Sequence, residues 1–448
     1  MKPRKRNHNY TRTIALSFIL VILLGTVLLC LPVSSSEGIK TPVADSFFTA
    51  VSATCVTGLV VFDTATYWSV FGQTVILCMI QIGGLGFMSI MALITMFLRR
   101  KISVSQRKVL MQSAGSMQLD GIQTMIKHIF AGTGIFELLG AAALSVRFIP
   151  LFGVPKGIYY SVFHSVSAFC NAGFDLMGKN YGKFSSFTAF ADDRLVCTVL
   201  MCLIVIGGIG FLVWGDILRH GVHLKAYSVH SKVALSMTAV LILSGWILFA
   251  VFEWNHSLSS FSSSSDKLFA ALFQSVTTRT AGFNTVDQSE LSQSGSVVSM
   301  LFMLIGGCPG STAGGIKTTT FAVVLLNMLA IAKRSNDVVI FKRSLDNRLV
   351  RQSCSVFNVY ISLIVISSVL IMAFENGNMR DVFFETISAI GTVGLSTGIT
   401  PSLSAASHII LAFMMYLGRI GGFSLILLLE RDHTVAGIKR PAAKILIG

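Results

Sequence analysis

The sequence predicts an all-α membrane protein in which four parallel M1-P-M2 repeats (helix, pore loop, helix) surround one pseudo-four-fold ion pore, with eight transmembrane helices. Three observations support this fold class. The composition is strongly apolar, a short segment ending in glycine recurs four times at intervals of roughly 110 residues, and basic residues lie at both ends of each pair of apolar stretches. Four-fold pseudo-symmetry of this kind is typical of an ion channel.

The composition indicates a membrane protein. Hydrophobic residues make up 53% of the 448 residues and charged residues only 12%, whereas soluble domains carry roughly 25% charged residues. Since a spanning helix takes about 20 apolar residues, eight spans leave no room for a large soluble domain. The net charge of +15 does not indicate nucleic acid as a partner, because the basic residues lie beside apolar stretches. The eight cysteines form no metal-ligand pattern.

Eight apolar stretches are predicted to span the membrane, at 13–31, 70–98, 128–151, 195–218, 231–252, 296–332, 355–374 and 406–429. They pair around the four recurring segments. The predicted organisation is therefore a cytoplasmic N-terminus (1–12), repeat 1 (13–101), repeat 2 (128–219), repeat 3 (231–334), repeat 4 (355–430) and a cytoplasmic C-terminal tail (431–448).

Lys and Arg concentrate at the ends of these pairs, at 99–127, 219–232, 333–351 and 431–444. The positive-inside rule assigns such flanks to the cytoplasm, so the recurring loops are predicted on the outer side. We therefore expect a multi-pass protein of the cell (plasma) membrane, embedded in the lipid bilayer, with both termini cytoplasmic. Its parallel repeats differ from the inverted repeats of many secondary carriers.

Each loop begins with a helix-compatible stretch, such as 44–53 or 381–389, that is too short to cross the roughly 30 Å hydrocarbon core. Such pore helices direct the partial negative charge of their C-termini toward a cation on the axis. Asp45, Asp266 and Asp381 lie near the positive end of three of them, and the second loop has no such residue.

The recurring segments are predicted to form a K⁺ selectivity filter, which is the only metal site predicted in this sequence. A pore replaces the hydration shell of the ion with backbone carbonyls, and glycine supplies the dihedral angles that align them. The alternative is that the glycines merely cap four helices. The predicted filter residues are Val56, Thr57, Gly58, Asn171, Ala172, Gly173, Thr280, Ala281, Gly282, Thr392, Val393 and Gly394.

A second glycine-rich motif follows in the second span of each repeat. In repeats 1, 2 and 4 it is interpreted as a helix-packing site. In repeat 3, residues 306–320 contain too many helix breakers for one helix, and unwound backbone at membrane depth must be buried or line water. This segment is predicted to be an intramembrane gating loop, and a simple kink is the alternative. Its residues are Gly306, Gly307, Pro309, Gly310, Ser311, Thr312, Ala313, Gly314, Gly315 and Lys317.

Two cations interrupt otherwise apolar second spans, Lys317 and Arg419. Because charges inside a membrane are costly, each is expected to face a cavity or a partner. Arg419 is predicted to be associated with the gate, either by pairing with Glu385 or by contacting the gating loop. A purely structural ion pair is the alternative. Glu137 has no partner that the sequence identifies.

Together these segments resemble the Trk/Ktr/HKT superfamily of potassium transport proteins, and within it the membrane subunit of bacterial Ktr systems (KtrB/KtrD type). The resemblance covers residues 13–429. Its most specific elements are the four glycine loops, Thr280-Ala-Gly-Phe283, Thr392-Val-Gly-Leu395, Gly310-Ser-Thr-Ala-Gly-Gly-Ile-Lys317 and Gly418-Arg-Ile-Gly421.

The resemblance implies K⁺ uptake through a single-chain pore, with K⁺ as the transported ion and Na⁺ as an activator. It also implies a homodimer and a separate cytoplasmic nucleotide-binding ring (KtrA/KtrC type) that controls the gate. ATP and ADP would then act only through that partner. The main alternative is a Na⁺- or H⁺-coupled K⁺ symporter. An enzyme is not predicted, because no Ser/His, metal or paired-carboxylate constellation is present.

Overall fold

The computed structural model describes residues 10–86, 122–335 and 337–421. Most of these residues are helical. The α-helices, in chain order, are α1 Tyr10–Cys30, α2 Val43–Thr54, α3 Thr64–Tyr67, α4 Val70–Leu85, α5 Ile122–Phe152, α6 Val154–Phe169, α7 Gly178–Tyr181, α8 Arg194–Ile209, α9 Phe211–His220, α10 Val229–Glu253, α11 Ser264–Thr277, α12 Gln293–Leu304, α13 Thr318–Ala332, α14 Asn347–Phe374, α15 Met379–Gly391 and α16 Ala405–Ile420. Two short strands, β1 Val339–Ile340 and β2 Arg343–Ser344, pair antiparallel.

Several of these helices are suited to a membrane. Among the described residues, α1, α5, α10 and α14 are each long and apolar enough to span it, and the bent pair formed by α8 and α9 also qualifies if it is counted as one span. The helices α4, α12, α13 and α16 are apolar but shorter. The predictions that concern 1–9, 87–121 and 422–448, which include most of the basic flank 99–127, the flank 431–444 and the C-terminal tail, lie outside the described residues.

Two predicted spans are not continuous helices. The stretch predicted at 195–218 bends by 94° between α8 and α9. The break falls at Gly210, which has a φ of +98°, and the N–H of Phe211 donates to the carbonyl of Gly310 instead of continuing the helix (2.8 Å). The stretch predicted at 296–332 is interrupted by residues 305–317, where the helix breakers lie.

Four short helices, α2, α6, α11 and α15, precede the recurring glycines. Each packs against the long helix before it, namely α1, α5, α10 and α14 respectively. The first turns of α2, α11 and α15 contain Asp45, Asp266 and Asp381, whereas α6 has no acidic residue there. These positions are the ones that a helix dipole favours for a carboxylate.

The core lies between these short helices and the apolar helices around them. The phenylalanines that begin the recurring segments are at most 1% exposed, namely Phe48, Phe163, Phe273 and Phe384. Since protein interiors are close-packed, four large rings at equivalent positions fix the height and direction of the short helices.

Glu253 shows how buried polar groups hold helix ends in this fold. Its carboxylate is buried and accepts hydrogen bonds from the hydroxyl and amide of Ser292 (2.6 and 3.1 Å), the residue that caps α12. It also accepts from the hydroxyl of Ser257 (2.7 Å). Removing the carboxylate leaves these donors without an acceptor away from water.

We therefore predict that Glu253→Ala lowers the free energy of unfolding by about 3 kcal/mol, because several charge-assisted hydrogen bonds are lost together. Thermal unfolding of the detergent-solubilised protein, followed by size-exclusion chromatography, measures the effect. Glu290→Ala is the matched control, since Glu290 is exposed. Equal melting temperatures for the two variants would contradict this role of Glu253.

Candidate cation site

The four recurring glycines meet in one ring at the C-terminal ends of the short helices. A Cβ placed on any of them would contact the backbone of the next segment, and the last glycine contacts the first segment, so the ring closes. The facing carbonyls are Ala172 for Gly58, Ala281 for Gly173, Val393 for Gly282 and Thr57 for Gly394. We call Gly58, Gly173, Gly282 and Gly394 the glycine ring.

The backbone of each segment is left-handed at two positions. The four glycines have φ values of +96°, +70°, +81° and +90° in chain order, and each lies beyond the residue that caps its helix. Two residues before each glycine stands a residue with a side chain that is also left-handed, which is uncommon for such residues. These residues are Val56, Asn171, Thr280 and Thr392, with φ between +52° and +66°.

A hydroxyl in the last turns of each short helix holds the segment in place. Ser52 and Ser388 each accept a hydrogen bond from the amide of their own ring glycine (both 3.1 Å). Ser167 and Thr277 instead donate to the carbonyl of the residue that follows their own ring glycine (both 2.7 Å). These four residues are not among the predicted filter residues, although a Ser or Thr stands four positions after the initial Phe in all four segments.

These bonds leave the carbonyls of the predicted filter residues free. The amides of Thr57, Ala172, Ala281 and Val393 are used inside the segments, where they donate to carbonyls in the last turns of the preceding helices. Among the described residues, the carbonyls of the three filter residues in each segment accept no hydrogen bond from protein. Buried carbonyls without donors are costly, but a ring of them provides the oxygen ligands that a partly dehydrated cation requires.

The predicted gating loop packs against one side of this ring. A Cβ on Gly306 would lie 3.2 Å from the side-chain methyl of Thr280, and one on Gly314 would collide with the hydroxyl of Thr392. Ile305 and Ile316 form a parallel bridge that closes the loop. The loop therefore lies against two residues that stand two positions before ring glycines.

Helix α8 of the preceding pair holds the loop through its backbone. The amide of Cys308 donates to the carbonyl of Gly208 (2.9 Å), and that of Thr312 donates to Gly207 (3.3 Å). The hydroxyl of Thr312 donates to the carbonyl of Phe169 (3.1 Å). The remaining predicted loop residues lie in the same non-helical segment between α12 and α13. At the end of this segment, the ammonium group of Lys317 donates to the carbonyl of Ala313 (2.6 Å).

Arg419 bridges the loop to α4. Its guanidinium donates to the carbonyls of Thr312, Gly83 and Gly84. Of the two partners expected for Arg419, the contact with the loop is therefore present and the pairing with Glu385 is wrong. The carboxylate of Glu385 instead accepts from the Ser396 hydroxyl and, at 3.2 and 2.8 Å, from the amide of Thr397 and the hydroxyl of Thr400.

Glu137 has a partner that the sequence did not identify. The side-chain amide of Gln81 in α4 donates to one carboxylate oxygen of Glu137 in α5 (3.2 Å). The other carboxylate oxygen is buried and has no hydrogen bond among the described residues. The contact joins helices of two adjacent pairs.

A vestibule of about 550 Å³ opens on the other side of the glycine ring, and the four glycines form part of its lining. Its charged residues, within the described part of the chain, are Asp63, Asp175, Asp287 and Lys183. Burial raises the pKa of the Asp175 carboxyl to about 7, against the lowering effect of the hydrogen bond from the Met177 amide. The glycine ring therefore lies between the vestibule and the loop.

A helical membrane protein with a closed ring of buried, donor-free carbonyls is of the class that moves cations. Comparison with known proteins agrees: residues 2–435 match the TrkH family, described as cation transport proteins. The chain belongs to this family, which is a family of transporters and not a class of enzymes. It is accordingly a multi-pass membrane protein.

Two curated relatives and one solved structure illustrate the match. The chain is 39% identical to the potassium/sodium uptake protein NtpJ of Enterococcus hirae, over 100% of this chain and 99% of that protein. It is 36% identical to the Ktr system potassium uptake protein B of Bacillus subtilis, over 98% and 96% of the two chains. The crystal structure of the potassium transporter TrkH from Vibrio parahaemolyticus shares the fold, with a TM-score of 0.69, 20% identity, and coverage of 92% of this chain and 84% of that one.

We predict that Gly394→Ser lowers selective cation flux at least ~10-fold, because glycine alone fits both the left-handed backbone and the contact with the Thr57 carbonyl. Flux of K⁺ and Na⁺ into liposomes containing the purified variant measures the loss. Gly38→Ser is the matched control, because Gly38 has a φ of +70° but a Cβ added there would have no neighbouring atom within 4 Å. Unchanged flux and selectivity in Gly394→Ser would show that the ring is not on the ion path.

Proposed function

We propose that this protein takes up K⁺ as the ion-conducting pore subunit of a Ktr-type potassium transport system. The observation that carries the proposal is the closed glycine ring with its buried, donor-free carbonyls. Backbone carbonyls are the ligands that replace the hydration shell of K⁺ in selective pores. The names of the relatives from Enterococcus hirae and Bacillus subtilis, which refer to potassium uptake, support K⁺ as the transported ion.

In this proposal the chain forms four M1-P-M2 repeats with eight transmembrane helices, and α2, α6, α11 and α15 are the pore helices. The selectivity filter consists of the three residues that end at each ring glycine. The vestibule opens to the outside and the gating loop faces the cytoplasm, with both termini on the cytoplasmic side of the cell membrane. The equivalent place of each short helix between its flanking helices supports this arrangement.

The gate in this proposal is the part of the predicted loop that is not helical, residues 306–317, since 318–320 belong to α13. Arg419 and α8 hold it against the ring. Its hydrogen bonds to α8 and to Arg419 fix it in one position, and they must break before the loop can move aside. We further propose that a separate cytoplasmic nucleotide-binding ring moves this loop, that two copies of the chain form a homodimer, and that Na⁺ stimulates uptake. The likeness to a protein named as part of a Ktr system supports these points.

The proposed transport is tested with purified protein in liposomes, by measuring K⁺ and Na⁺ flux down imposed gradients. We expect K⁺ flux that needs no Na⁺ gradient and exceeds Na⁺ flux. Flux of K⁺ only when a Na⁺ or proton gradient is present would replace the pore with a coupled symporter. No flux of either ion, even with a cytoplasmic regulatory partner added, would contradict the proposed pore.

We predict that Arg419→Gln raises K⁺ flux about 3-fold or more without loss of assembly, because charge-assisted hydrogen bonds hold the loop closed. Liposome flux, together with the elution volume in size-exclusion chromatography, measures both effects. Arg380→Gln is the control, since Arg380 also bonds to backbone carbonyls, including that of Leu291 (3.0 Å), but does not contact the loop. Equal flux in Arg419→Gln and the wild type would show that this bridge does not restrain the gate.

A further inference from the structure

A segment of the chain that we call the vestibule loop, residues 182–187, lies beside the mouth of the glycine ring. It connects α7 to the 3-10 turn Thr188–Phe190 that precedes α8. Four of its residues, Lys183, Phe184, Ser185 and Ser186, line the vestibule. None of them belongs to the recurring segments that predict the filter.

Hydrogen bonds from two different parts of the chain fix this loop. The amide of Phe184 donates to the carboxylate of Asp63, which also caps α3 (2.9 Å). At its other end, the amide of Phe187 donates to the carbonyl of Asn284 (2.8 Å). The hydroxyl of Ser186 accepts from the amide of the same Asn284 (3.1 Å). The loop therefore spans from the segment after Gly58 to the segment after Gly282.

The loop conformation is specific as well as anchored. Phe184 and Ser186 are left-handed, with φ of +61° and +47°, a conformation that residues with a Cβ adopt only where surrounding contacts impose it. Phe187 is fully buried, and its ring packs edge-on against Phe283 with 5.5 Å between centroids. Because Phe283 follows the ring glycine Gly282 directly, the loop is joined to the wall of the proposed filter.

This framework holds Lys183 at the entrance. Lys183 is exposed and lines the vestibule, and among the described residues it forms no hydrogen bond and no salt bridge. Asp63, Asp175 and Asp287 also line the vestibule, and their carboxylates accept hydrogen bonds from backbone amides or from Ser289, but none of them forms a salt bridge with Lys183 among the described residues. The anchored backbone thus places a positive charge without a salt-bridge partner at the mouth of the proposed filter.

We propose that Lys183 lowers the occupancy of the vestibule by external cations and so sets the concentration of K⁺ needed for uptake. The inference rests on the proposed function. A like charge at the mouth of a cleft reduces the local concentration of an entering cation and its rate of association. It does not act on the ion once the ion lies in the ring, so its effect is on half-saturation more than on maximal rate.

The test uses the full chain in a bacterial strain that lacks its own K⁺ uptake systems, because the orientation in the membrane is then uniform. We expect Lys183→Gln to lower the half-saturating external K⁺ concentration about 3-fold at low ionic strength, Lys183→Glu to lower it further, and Lys183→Arg to match the wild type. The difference shrinks when an impermeant salt raises the ionic strength. Lys179→Gln is the matched control, since Lys179 is exposed in α7 but does not line the vestibule.

The outcomes separate the inference from the function on which it rests. K⁺ uptake with the same half-saturation in the wild type, Lys183→Gln and Lys183→Glu would overturn the role of Lys183 and leave the pore standing. A shift of equal size in Lys179→Gln would also overturn it, because the effect would then belong to the overall surface charge. Absence of K⁺ uptake by the wild type, even with a cytoplasmic regulatory partner co-expressed, would overturn the proposed function and this inference together.

Discussion

The structure depends on one constraint. Backbone N–H and C=O groups that lie outside a helix at membrane depth must find hydrogen-bond partners or ligands within the protein or in a water-filled cavity. The loop 305–317 meets this constraint with protein. Its amides and carbonyls bond to α8, to one another and to Arg419. The four segments that end in ring glycines meet it only for their amides, and their carbonyls remain without donors among the described residues. In the proposed function, a dehydrated cation is the partner of these carbonyls.

The other parts of the site follow from this difference between the bonded amides and the donor-free carbonyls of the four segments. The hydroxyls of Ser52, Ser167, Thr277 and Ser388 hold the segments at the ends of the short helices. The buried phenylalanines fix the helices that carry these hydroxyls. Glycine at the ring admits the close approach of four chain segments, since a side chain at any of the four positions would contact a neighbouring backbone. The same packing and hydrogen bonds therefore position both the short helices and the carbonyls of the site.

The sequence predicts those parts of the site that depend on residue type. The four ring glycines are predictable because only glycine tolerates both the left-handed backbone and the close contacts with the next segment. The interruption at 305–317 is predictable because its glycines and its proline disfavour a helix. The left-handed residues Val56, Asn171, Thr280 and Thr392 are not predictable, because tertiary contacts impose a conformation that their side chains disfavour.

The sequence also does not predict which polar groups meet. Arg419 and Glu385 are the obvious pair by charge, yet the guanidinium reaches carbonyls of the loop and of α4 while hydroxyls and an amide of its own segment occupy the carboxylate. The motif at 206–210 likewise resembles a packing site. Its bend at Gly210 arises because Gly310, about 100 residues later, accepts the amide that would continue the helix. Such pairings depend on long-range geometry, which one sequence does not contain.

The most direct test of this account is a crystal structure of the protein in a Rb⁺ salt, with anomalous scattering collected at the Rb absorption edge. We expect a peak on the axis of the glycine ring, surrounded by carbonyls from all four segments at distances suited to a K⁺-sized ion. A ring without an ion, with its carbonyls bonded to water or turned toward protein donors, would contradict it.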